Sequence, residues 1–402
     1  MANVSSSNGL EKRPKLRFPG CDDPYRKCRI GDIYGERSQR GAGDMELLSV
    51  TMNDGVMPRT EIEGKDNSSE DKSNYKVVCK GDMVYNSMRM WQGANGVSNY
   101  DGIVSPAYTV LMPTEEIDNQ YFAALFKTSN LINEFRKNSQ GLTSDTWNLK
   151  YPQIRPIRLC IPSLQEQNKI SSFIGTLEER ISKQRQLVDS LKKYKRGVMQ
   201  KVFRNMSAFS PSGFETVRLS DIFKKASRRN SNGEIKNVIT NSAEHGLIPQ
   251  RDFFDKDIAV DGNTGNYYVI EYGDFVYNPR KSNTAPYGPF NRYERQEKGI
   301  ISPLYTCLVL KTDIEPAYLA WYFKSDAWYR YIYDNGSQGV RHDRVSMTDD
   351  LLMGIPVIIP SKDSQIKIAK LLDCLEKRFQ VELSQCEYLK TVREALLQQL
   401  FI

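Results

Sequence analysis

One segment of this chain occurs twice, and the two copies align without a gap. Residues 161–203 return at 359–401, a shift of 198 positions (401 minus 203). Identical residues are spread over the whole segment, at Ile161/Ile359, Pro162/Pro360, Ser163/Ser361, Gln167/Gln365, Lys169/Lys367, Ile170/Ile368, Leu177/Leu375, Glu178/Glu376, Arg180/Arg378, Leu191/Leu389, Lys192/Lys390, Gln200/Gln398 and Phe203/Phe401. Such a repeat predicts a chain built from two copies of one structural unit.

Each copy is predicted to form one long helix. Pro162 ends the preceding element, and Ser163 followed three residues later by Glu166 is a capping-box pattern. In the second copy Ser361 keeps the cap but Ser364 replaces the glutamate, so this helix start is predicted to be weaker. A helix over residues 166–203 would span about 57 Å, at about 1.5 Å per residue.

Apolar residues recur at three- and four-residue spacing along both segments, which predicts a seam for a partner helix. The seam residues are Ile170, Ile174, Leu177, Ile181, Val188 and Leu191 in the first copy, and Ile368, Leu372, Leu375, Phe379, Cys386 and Leu389 in the second. Gln184 and Glu382 interrupt the seam at equivalent positions, either to fix the register or as an ordinary skip. Two amphipathic helices in one chain most simply pack on each other.

Length and composition predict a soluble globular protein of two to three domains, because the chain has 402 residues, 39% of them hydrophobic and 26% charged. No apolar run reaches the length of a membrane span. The first 15 residues are polar and basic, lack the apolar core of a signal peptide, and are expected to form a disordered leader. Seven scattered cysteines without a Cys-x-x-Cys pair fit a reducing cytoplasm.

The net charge of +7 permits nucleic-acid binding without requiring it. Positive charge concentrates at one end of the first helix, where it either attracts nucleic acid or is a solvated turn favoured by the helix dipole. The residues concerned are Lys192, Lys193, Lys195, Arg196, Lys201 and Arg204.

The repeat extends beyond the helices into the segments that precede them. Matching stretches include residues 81–86 and 273–278, residues 105–108 and 302–305, and Ser-Gln-Gly at 139–141 and 337–339. The predicted order is therefore globule, helix, globule, helix, with a Ser-, Asn- and Gly-containing linker between the halves. The boundaries are a leader at 1–15, a first globule at 16–160, a first helical region at 161–204, a linker at 205–213, a second globule at 214–358 and a second helical region at 359–402.

Both globules mix predicted strands and helices, which indicates the α+β class. β-branched and aromatic runs predict strands at 75–79, 82–85 and 108–112, with counterparts at 267–270, 274–277 and 305–310. Aromatic-rich stretches at 118–137 and 316–333 are predicted to be helical, with their rings in the core.

The two copies differ most in polar loops that follow shared landmarks. One loop follows Asn86 or Asn278 and is five residues longer in the second copy (local shifts of 197 and 192), and another follows the Ser-Gln-Gly. A shared scaffold with divergent loops suggests two binding faces of different specificity. Arg and Lys suit guanine edges and phosphates, and Asn and Gln suit adenine edges, although each loop residue also fits an ordinary exposed position. The candidate DNA-contacting residues are Arg89, Trp91, Gln92, Asn95, Gln140, Thr143, Ser144 and Asn148 in the first copy, and Arg280, Lys281, Asn283, Tyr287, Gln338, Arg341, His342 and Arg344 in the second.

Motifs for catalysis, cofactors or metals are missing from the sequence. His245 and His342 are the two histidines and do not have metal-ligand spacing, and neither a Walker loop nor a Gly-x-Gly-x-x-Gly after a strand is present. Asn278-Pro279 begins an amino-methyltransferase-like motif that Arg280 breaks. The carboxylate–lysine group around Glu61, Glu63 and Lys65 is of a kind common by chance in polar loops, so we predict no catalytic, cofactor-binding or metal-binding residues.

The duplicated Ile-Pro-Ser-x-x-x-Gln-x-Lys-Ile start, the long helix after it and the variable globule before it resemble the specificity subunit of type I restriction–modification enzymes. The resemblance covers nearly the whole chain from about residue 14, and residues 85–91 and 141–150 are similar to one common type of recognition domain in that family. The second copy departs from the pattern at Ser364.

The resemblance implies two target recognition domains that each bind half of a split sequence in double-stranded DNA. It implies that the long helices pack as an antiparallel coiled coil and set the distance between the halves. The implied partners are two adenine methyltransferase subunits and motor-nuclease subunits, which would hold S-adenosylmethionine, ATP and magnesium, none of them in this chain. Two alternatives stay open: a self-sufficient restriction–methylation enzyme, and a coiled-coil scaffold that does not bind DNA.

Overall fold

The computed structural model describes residues 14–41, 44–52, 55–64, 66, 68–143, 146–252, 264–336 and 343–401. The chain divides into two compact units. Unit 1 comprises Met1–Arg185 with Ser384–Ile402, and unit 2 comprises Gln186–Leu383. The division points after Arg185 and after Leu383 are themselves 198 positions apart, so they are equivalent positions of the repeat. Each unit therefore contains one globule and a part of both long helices.

Unit 1 consists of short strands and helices that lead into the first long helix. Its strands in the described residues are β1 (Arg26–Arg29), β2 (Tyr34–Glu36), β3 (Leu48–Thr51), β4 (Gly55–Pro58), β5 (Lys76–Val78), β6 (Met83–Asn86), β7 (Asn95–Val97), β8 (Gly102–Val104), β9 (Tyr108–Pro113) and β10 (Arg158–Ile161). Its helices are α1 (Ile30–Ile33), α2 (Asn119–Leu125), α3 (Ser129–Asn138), α4 (Tyr151–Ile154) and α5 (Leu164–Arg204), the last of which continues into unit 2. Short 3₁₀ turns lie at Arg59–Glu61 and Met90–Gln92.

Unit 2 largely repeats this order of elements and adds one short helix before its first strand. Its helices are α6 (Met206–Phe209), α7 (Leu219–Ile222), α8 (Pro316–Lys324), α9 (Tyr329–Asn335), α10 (Asp349–Met353) and α11 (Lys362–Leu400), which continues into unit 1. Its strands in the described residues are β11 (Phe214–Arg218), β12 (Phe223–Lys225), β13 (Ile239–Ser242), β14 (Gly246–Pro249), β15 (Tyr268–Ile270), β16 (Phe275–Tyr277), β17 (Phe290–Arg292), β18 (Gly299–Ile301), β19 (Thr306–Leu310) and β20 (Pro356–Pro360). A 3₁₀ turn lies at Gln250–Asp252.

The sheets of the two units correspond strand for strand. A four-stranded antiparallel sheet has the order β2-β9-β6-β7 in unit 1 and β12-β19-β16-β17 in unit 2. Each unit adds three antiparallel pairs: β1 with β10, β3 with β4 and β5 with β8, matched by β11 with β20, β13 with β14 and β15 with β18. The predicted α+β class and the repeated globules are confirmed.

Both aromatic-rich regions were predicted to be helical, and each consists of two helices separated by a short break. At the first break Thr128 Oγ1 donates to the carbonyl of Leu125 (2.8 Å), and at the second Ser325 Oγ donates to the carbonyl of Tyr322 (2.6 Å). A hydroxyl that bonds a terminal carbonyl competes with continuation of the helix. The aromatic side chains lie in the cores as predicted: Tyr121, Phe122 and Phe126 are buried in unit 1, and Trp321, Tyr322 and Phe323 in unit 2.

The long helices begin in the same way in both units. Gln167 donates from Nε2 to the carbonyl of Pro162 (3.0 Å) and accepts on Oε1 from the backbone N–H of Asp118 (3.1 Å). Gln365 makes the equivalent bonds to Pro360 (2.8 Å) and Glu315 (2.8 Å). The repeated glutamine therefore ties each helix start to the globule before it.

Within each unit, the segments of the two long helices that it contains run antiparallel to each other. In unit 1 Arg393 Nη1 lies 3.2 Å from Glu178 Oε1, and in unit 2 Lys195 Nζ lies 2.5 Å from Glu376 Oε2. The repeat shift converts one ion pair into the other, because it takes Glu178 to Glu376 and Lys195 to Arg393. The predicted seam is buried or half-buried at every position along both helices.

The far end of each long helix packs into the globule of the unit in which it ends. The ring of Phe401 lies 5.3 Å from that of Tyr121 in unit 1, and the ring of Phe203 lies 5.8 Å from that of Tyr318 in unit 2. All four aromatic side chains are buried. Burial of side chains of this size contributes strongly to the stability of each unit.

The glutamate expected to cap the first long helix has a different main role. Glu166 is fully buried, and its two oxygens accept hydrogen bonds from Arg17 Nε (3.0 Å) and Nη2 (2.6 Å), with a further bond from Tyr25 Oη (3.3 Å). It therefore anchors the segment before β1 to the helix start. In the second copy Ser361 Oγ accepts from the N–H of Ser364 (3.4 Å), so the predicted serine cap is confirmed there.

Candidate nucleic-acid interface

The first divergent loop starts with the same turn in both units. Loop A of unit 1 (residues 86–94) begins with Asn86, whose Oδ1 accepts from the N–H of Met88 (3.0 Å). Loop A of unit 2 (residues 278–289) begins with Asn278, whose Oδ1 accepts from the N–H of Arg280 (3.0 Å). Asparagine favours this turn because its side chain bonds the backbone two residues on. The shared asparagine thus starts two different loops from the same frame, which we define as the strands and helices that both units have in common.

The second divergent loop is held against the first by a shared backbone bond. Loop B of unit 1 comprises residues 139–149, and the N–H of Leu149 donates to the carbonyl of Ser87 (2.8 Å). Loop B of unit 2 comprises residues 337–346, described from 343 onward, and the N–H of Val345 donates to the carbonyl of Pro279 (2.9 Å). In each unit the structure therefore brings together the two loops in which the sequence placed its candidate residues.

Aromatic side chains join the two loops of unit 1. The rings of Trp91 in loop A and Trp147 in loop B meet edge to face at 5.2 Å, and Trp91 Nε1 donates to the carbonyl of Met88 (3.0 Å). The guanidinium of Arg136, at the end of α3, lies 5.8 Å from the ring centre of Trp147. Trp147 and Arg136 were not among the candidate residues. The sequence signal for Trp147 was its position within the polar stretch after the Ser-Gln-Gly.

Most candidate residues of unit 1 lie at the surface. Arg89, Gln92, Gln140 and Thr143 are exposed, Trp91 and Asn148 are half-buried, and Ser144 lies outside the described residues. Gln140 and Asn148 pair across the base of loop B through reciprocal backbone bonds of 3.0 and 2.8 Å. The two loops therefore offer amide, hydroxyl and guanidinium groups beside a tryptophan pair.

Asn95 is the exception in unit 1, because its side chain is completely buried. It begins β7, where it pairs with Tyr85, and its Nδ2 donates to the carbonyl of Gly93 (3.2 Å). Gly93 has a φ of +87° and turns the chain from the 3₁₀ turn back into the sheet. A polar residue next to a loop here belongs to the frame, so the expectation that Asn95 contacts DNA does not fit its position.

Charged side chains join the two loops of unit 2. The N–H of Lys281 donates to the carbonyl of Asp343 (2.9 Å), and Arg280 forms a β-bridge with Arg344. One carboxylate oxygen of Asp343 lies 3.9 Å from Nε of Arg280 and 3.8 Å from Nε of Arg344. Asp343 therefore sits between the arginines of the two loops. Asp343 was not among the candidate residues.

The remaining candidates of unit 2 have mixed positions. Arg280 and Asn283 are exposed, and Lys281 and Arg344 are half-buried. Tyr287 is half-buried, its ring lies 5.0 Å from that of Tyr329, and its carbonyl accepts from Tyr277 Oη (2.8 Å). Gln338, Arg341 and His342 lie outside the described residues.

Electrostatics beside these loops reflect burial and the nearby arginines. Burial raises the pKa of the Tyr305 phenol, while a hydrogen bond to Thr240 and the charges of Arg280 and Arg344 act in the opposite direction. Within the described ranges, no group of three or more His, Cys, Asp or Glu side chains is arranged to hold a metal ion. None of the described helices is long and apolar enough to cross a membrane.

Comparison with known proteins shows similarity to a specificity domain and to a specificity subunit. A family model described as "Type I restriction modification DNA specificity domain" matches residues 29–192. The Type I restriction enzyme HindI specificity subunit of Haemophilus influenzae is 26% identical over 152 residues, which is 36% of this chain and 32% of that protein. The match thus spans about a third of that relative's length.

Solved structures show the same fold over nearly the whole chain. The S subunit of a type I restriction–modification system from M. genitalium has a TM-score of 0.57 and 14% identity, with 97% of this chain and 99% of that chain covered. The HsdS subunit from Thermoanaerobacter tengcongensis has a TM-score of 0.51 and 16% identity, with 98% and 99% covered. A chain from a structure on complex assembly and conformational transition of "the type I R-M system" has a TM-score of 0.59 and 16% identity. The match covers 96% of this chain and 99% of that chain.

Proposed function

We infer that this chain is a specificity subunit of a type I restriction–modification system and binds a split sequence in double-stranded DNA. The match of residues 29–192 to the DNA specificity domain supports this proposal. The observation that carries the proposal is the repeated placement of two unlike loop pairs on one frame. Asn86 and Asn278 start equivalent turns, but the loops that follow present tryptophan and amides in unit 1 and arginine with aspartate in unit 2. A frame that is duplicated while its loops diverge suits two half-sites of different sequence.

The long helices are proposed to set the distance between the half-sites. Helix α5 has 41 residues and α11 has 39, so each is about 60 Å long at about 1.5 Å per residue. DNA advances about 34 Å per turn, and two major-groove contacts separated by more than that leave base pairs between them uncontacted. The recognised sequence would then have two specified parts and an unspecified spacer.

The chain is proposed to be a non-catalytic, cytoplasmic component of a larger complex. Two adenine methyltransferase subunits and motor-nuclease subunits would bring S-adenosylmethionine, ATP and magnesium, none of them held by this chain. Phe173 and Leu371 occupy equivalent positions of the repeat, and each is a large apolar side chain left partly exposed on a long helix. An equivalent apolar position on each helix fits docking of two copies of the same partner.

Salt-dependent binding to the recognised DNA tests this proposal. The sequence is first identified by mapping methylated adenines in DNA from the source cell, and a duplex carrying it is then titrated with the full chain and its methyltransferase partner. Affinity is expected to fall steeply as salt rises, because phosphate contacts release counterions. A scrambled duplex is the control. Equal affinity for both duplexes would overturn sequence-specific binding, and failure to bind either duplex would favour a scaffold that does not bind DNA.

A domain exchange tests the independence of the two halves. Replacement of residues 214–350 by the corresponding segment of another specificity subunit should change one half-site and preserve the other. If both half-sites change, the units do not bind separately. Methyl transfer by the purified chain alone would instead favour the self-sufficient enzyme.

A further inference from the structure

Leu142, in loop B of unit 1, has the most exposed large apolar side chain in the described part of the chain. Its exposure is 101% of the reference value, and the next is Tyr333 at 69%. A single exposed leucine carries no information by itself, since such residues are common on protein surfaces. Its position does, because loop B is one of the two loops proposed to contact DNA.

Described residues on both sides of Leu142 make hydrogen bonds within loop B. Before it, Gln140 and Asn148 exchange two backbone hydrogen bonds. After it, the N–H of Thr143 donates to Thr146 Oγ1 (3.1 Å) and the N–H of Thr146 donates to the carbonyl of Thr143 (3.0 Å). Gly141 has a φ of +144°, and a Cβ there would lie 2.6 Å from the carbonyl oxygen of Thr146. Leu142 thus lies between two backbone positions that hydrogen bonds hold within loop B.

Loop B is also anchored to the rest of unit 1 next to this position. Trp147 packs on Trp91, and the N–H of Leu149 bonds the carbonyl of Ser87. A side chain held in this way loses little conformational freedom of the backbone when it makes a contact. It therefore suits discrimination between ligands that differ by one small apolar group.

Duplex DNA presents one such group at its base edges in the major groove, the C5-methyl group of thymine. Exposed Gln140, two residues before Leu142, carries the amide that suits the N6 and N7 atoms of adenine. Both features belong to A·T base pairs. The chemistry of loop B therefore matches an A·T-containing half-site better than a G·C-only one.

We propose that Leu142 contacts the C5-methyl group of a thymine in the half-site bound by unit 1 and is a specificity-determining residue for it. This proposal rests on the proposed function, because it requires loop B to face the duplex. The equivalent position in the second copy is Val340, which lies outside the described residues. The proposal concerns unit 1 alone.

The test replaces thymine by uracil in one mapped half-site at a time, which removes the methyl group and preserves base pairing. Binding of both duplexes is measured for the full chain with its methyltransferase partner, as the wild type and as Leu142→Ala. Uracil in one half-site should weaken wild-type binding about fourfold, the effect of one lost methyl contact. Leu142→Ala should weaken binding to the thymine duplex by at least as much and should be insensitive to the uracil replacement.

Two control variants keep the test decisive. Leu142→Met retains an apolar side chain and should retain most of the sensitivity to uracil. Leu304→Ala removes an exposed leucine of unit 2 and should leave the effect of uracil in the half-site bound by unit 1 unchanged. Because Leu142 has no packing role, all variants are expected to fold, which circular dichroism checks.

The possible results separate this proposal from the proposed function. If wild type does not prefer the mapped sequence to a scrambled duplex, the proposed function fails. If wild type shows that preference but Leu142→Ala binds normally, or weakens binding equally on thymine and uracil duplexes, the thymine contact is overturned. If Leu142→Ala weakens binding equally on thymine and uracil duplexes and also reduces DNA bending, Leu142 would be assigned to a wedge between base steps instead.

Discussion

The two units share their frame contacts and differ in the chemistry of their loops. The asparagine turn, the bond between loops A and B, and the glutamine at each long helix start occur in both. The loops themselves carry a tryptophan pair and an exposed leucine in unit 1, and an aspartate between two arginines in unit 2. The difference teaches that one backbone arrangement supports unrelated surface chemistries. This is expected when the frame positions the loops and the side chains of the loops discriminate between ligands.

The strongest way to separate frame from loops is to lengthen the frame alone. Seven helix-forming residues are inserted after Arg185 and after Leu383, the equivalent points at which the units divide. Seven residues add about 10 Å at about 1.5 Å per residue and approximately preserve the seam. We expect the unspecified spacer to grow by about three base pairs, at about 3.4 Å each, with both half-sites unchanged and the original site no longer methylated.

Methylation mapping of the variant determines the outcome of this insertion. The same insertion in one helix only is the control, and it should impair assembly because the helices lose their register. An unchanged spacer with full activity would mean that the helices do not set the distance. Altered half-sites would mean that frame and loops are not separable.

The buried ion pair at the start of α5 distinguishes the frames of the two units. Arg17→Met leaves the buried carboxylate of Glu166 without its cation, whereas serine occupies the equivalent position in the second copy. We expect the free energy of unfolding to fall by about 3 kcal/mol, measured by urea denaturation, since breaking a buried pair leaves an uncompensated charge. Arg17→Met combined with Glu166→Ser should recover most of the loss. A fully stable single variant would show that Tyr25 and solvent suffice for Glu166.

Charge in the loops of unit 2 should make its DNA contacts strongly salt-dependent. Arg280→Ala is expected to weaken binding to the mapped duplex about tenfold and to reduce the slope of log affinity against log salt by about one, if its guanidinium contacts a phosphate. Arg330→Ala is the matched control, because it removes the same charge from an exposed position on α9 of the same unit. Equal effects of the two variants would mean that net charge, rather than loop A, drives binding.

The sequence predicted the repeated frame well because its signals are local or periodic. The strand predicted at 108–112 is found at Tyr108–Pro113, the one at 274–277 at Phe275–Tyr277, and both long helices formed where spacing and Ile-Pro-Ser placed them. Local and periodic signals did not predict the contacts of side chains whose partners lie far away in the sequence. Glu166 matched a capping box, but its partner Arg17 lies 149 positions earlier in the chain.

The sequence predicted the loops of the candidate interface better than it predicted the individual residues within them. Divergence between the copies identified loops A and B, and the backbone bonds that join them in each unit support that choice. Divergence does not distinguish an exposed amide from a buried one, so Asn95 was included although it belongs to β7. Arg136 was missed because it follows from α3 and approaches Trp147 only through the tertiary fold.

The smallest expected effect compares the two helix–helix ion pairs that the repeat makes equivalent. Lys195 and Glu376 approach to 2.5 Å, and the ammonium group also lies 4.5 Å from the ring centre of Phe379, whereas Arg393 and Glu178 are 3.2 Å apart. Partial burial opposes ionisation of Glu376, but hydrogen bonds from Gln380 and Lys195 outweigh it and lower the pKa of this carboxyl.

A double-mutant cycle with Lys195→Met and Glu376→Gln should therefore give a coupling of about 1 kcal/mol at pH 7, and the cycle for Arg393 and Glu178 about 0.5 kcal/mol. A lowered pKa in the folded state means that the contribution of Glu376 is present above the unfolded-state pKa of about 4.3 and is lost as the pH falls through the lower folded value. Urea unfolding at pH 7 and at pH 3 measures both couplings. Equal couplings at pH 7, or a coupling for Lys195 and Glu376 that grows on acidification, would contradict the ranking that the geometry gives.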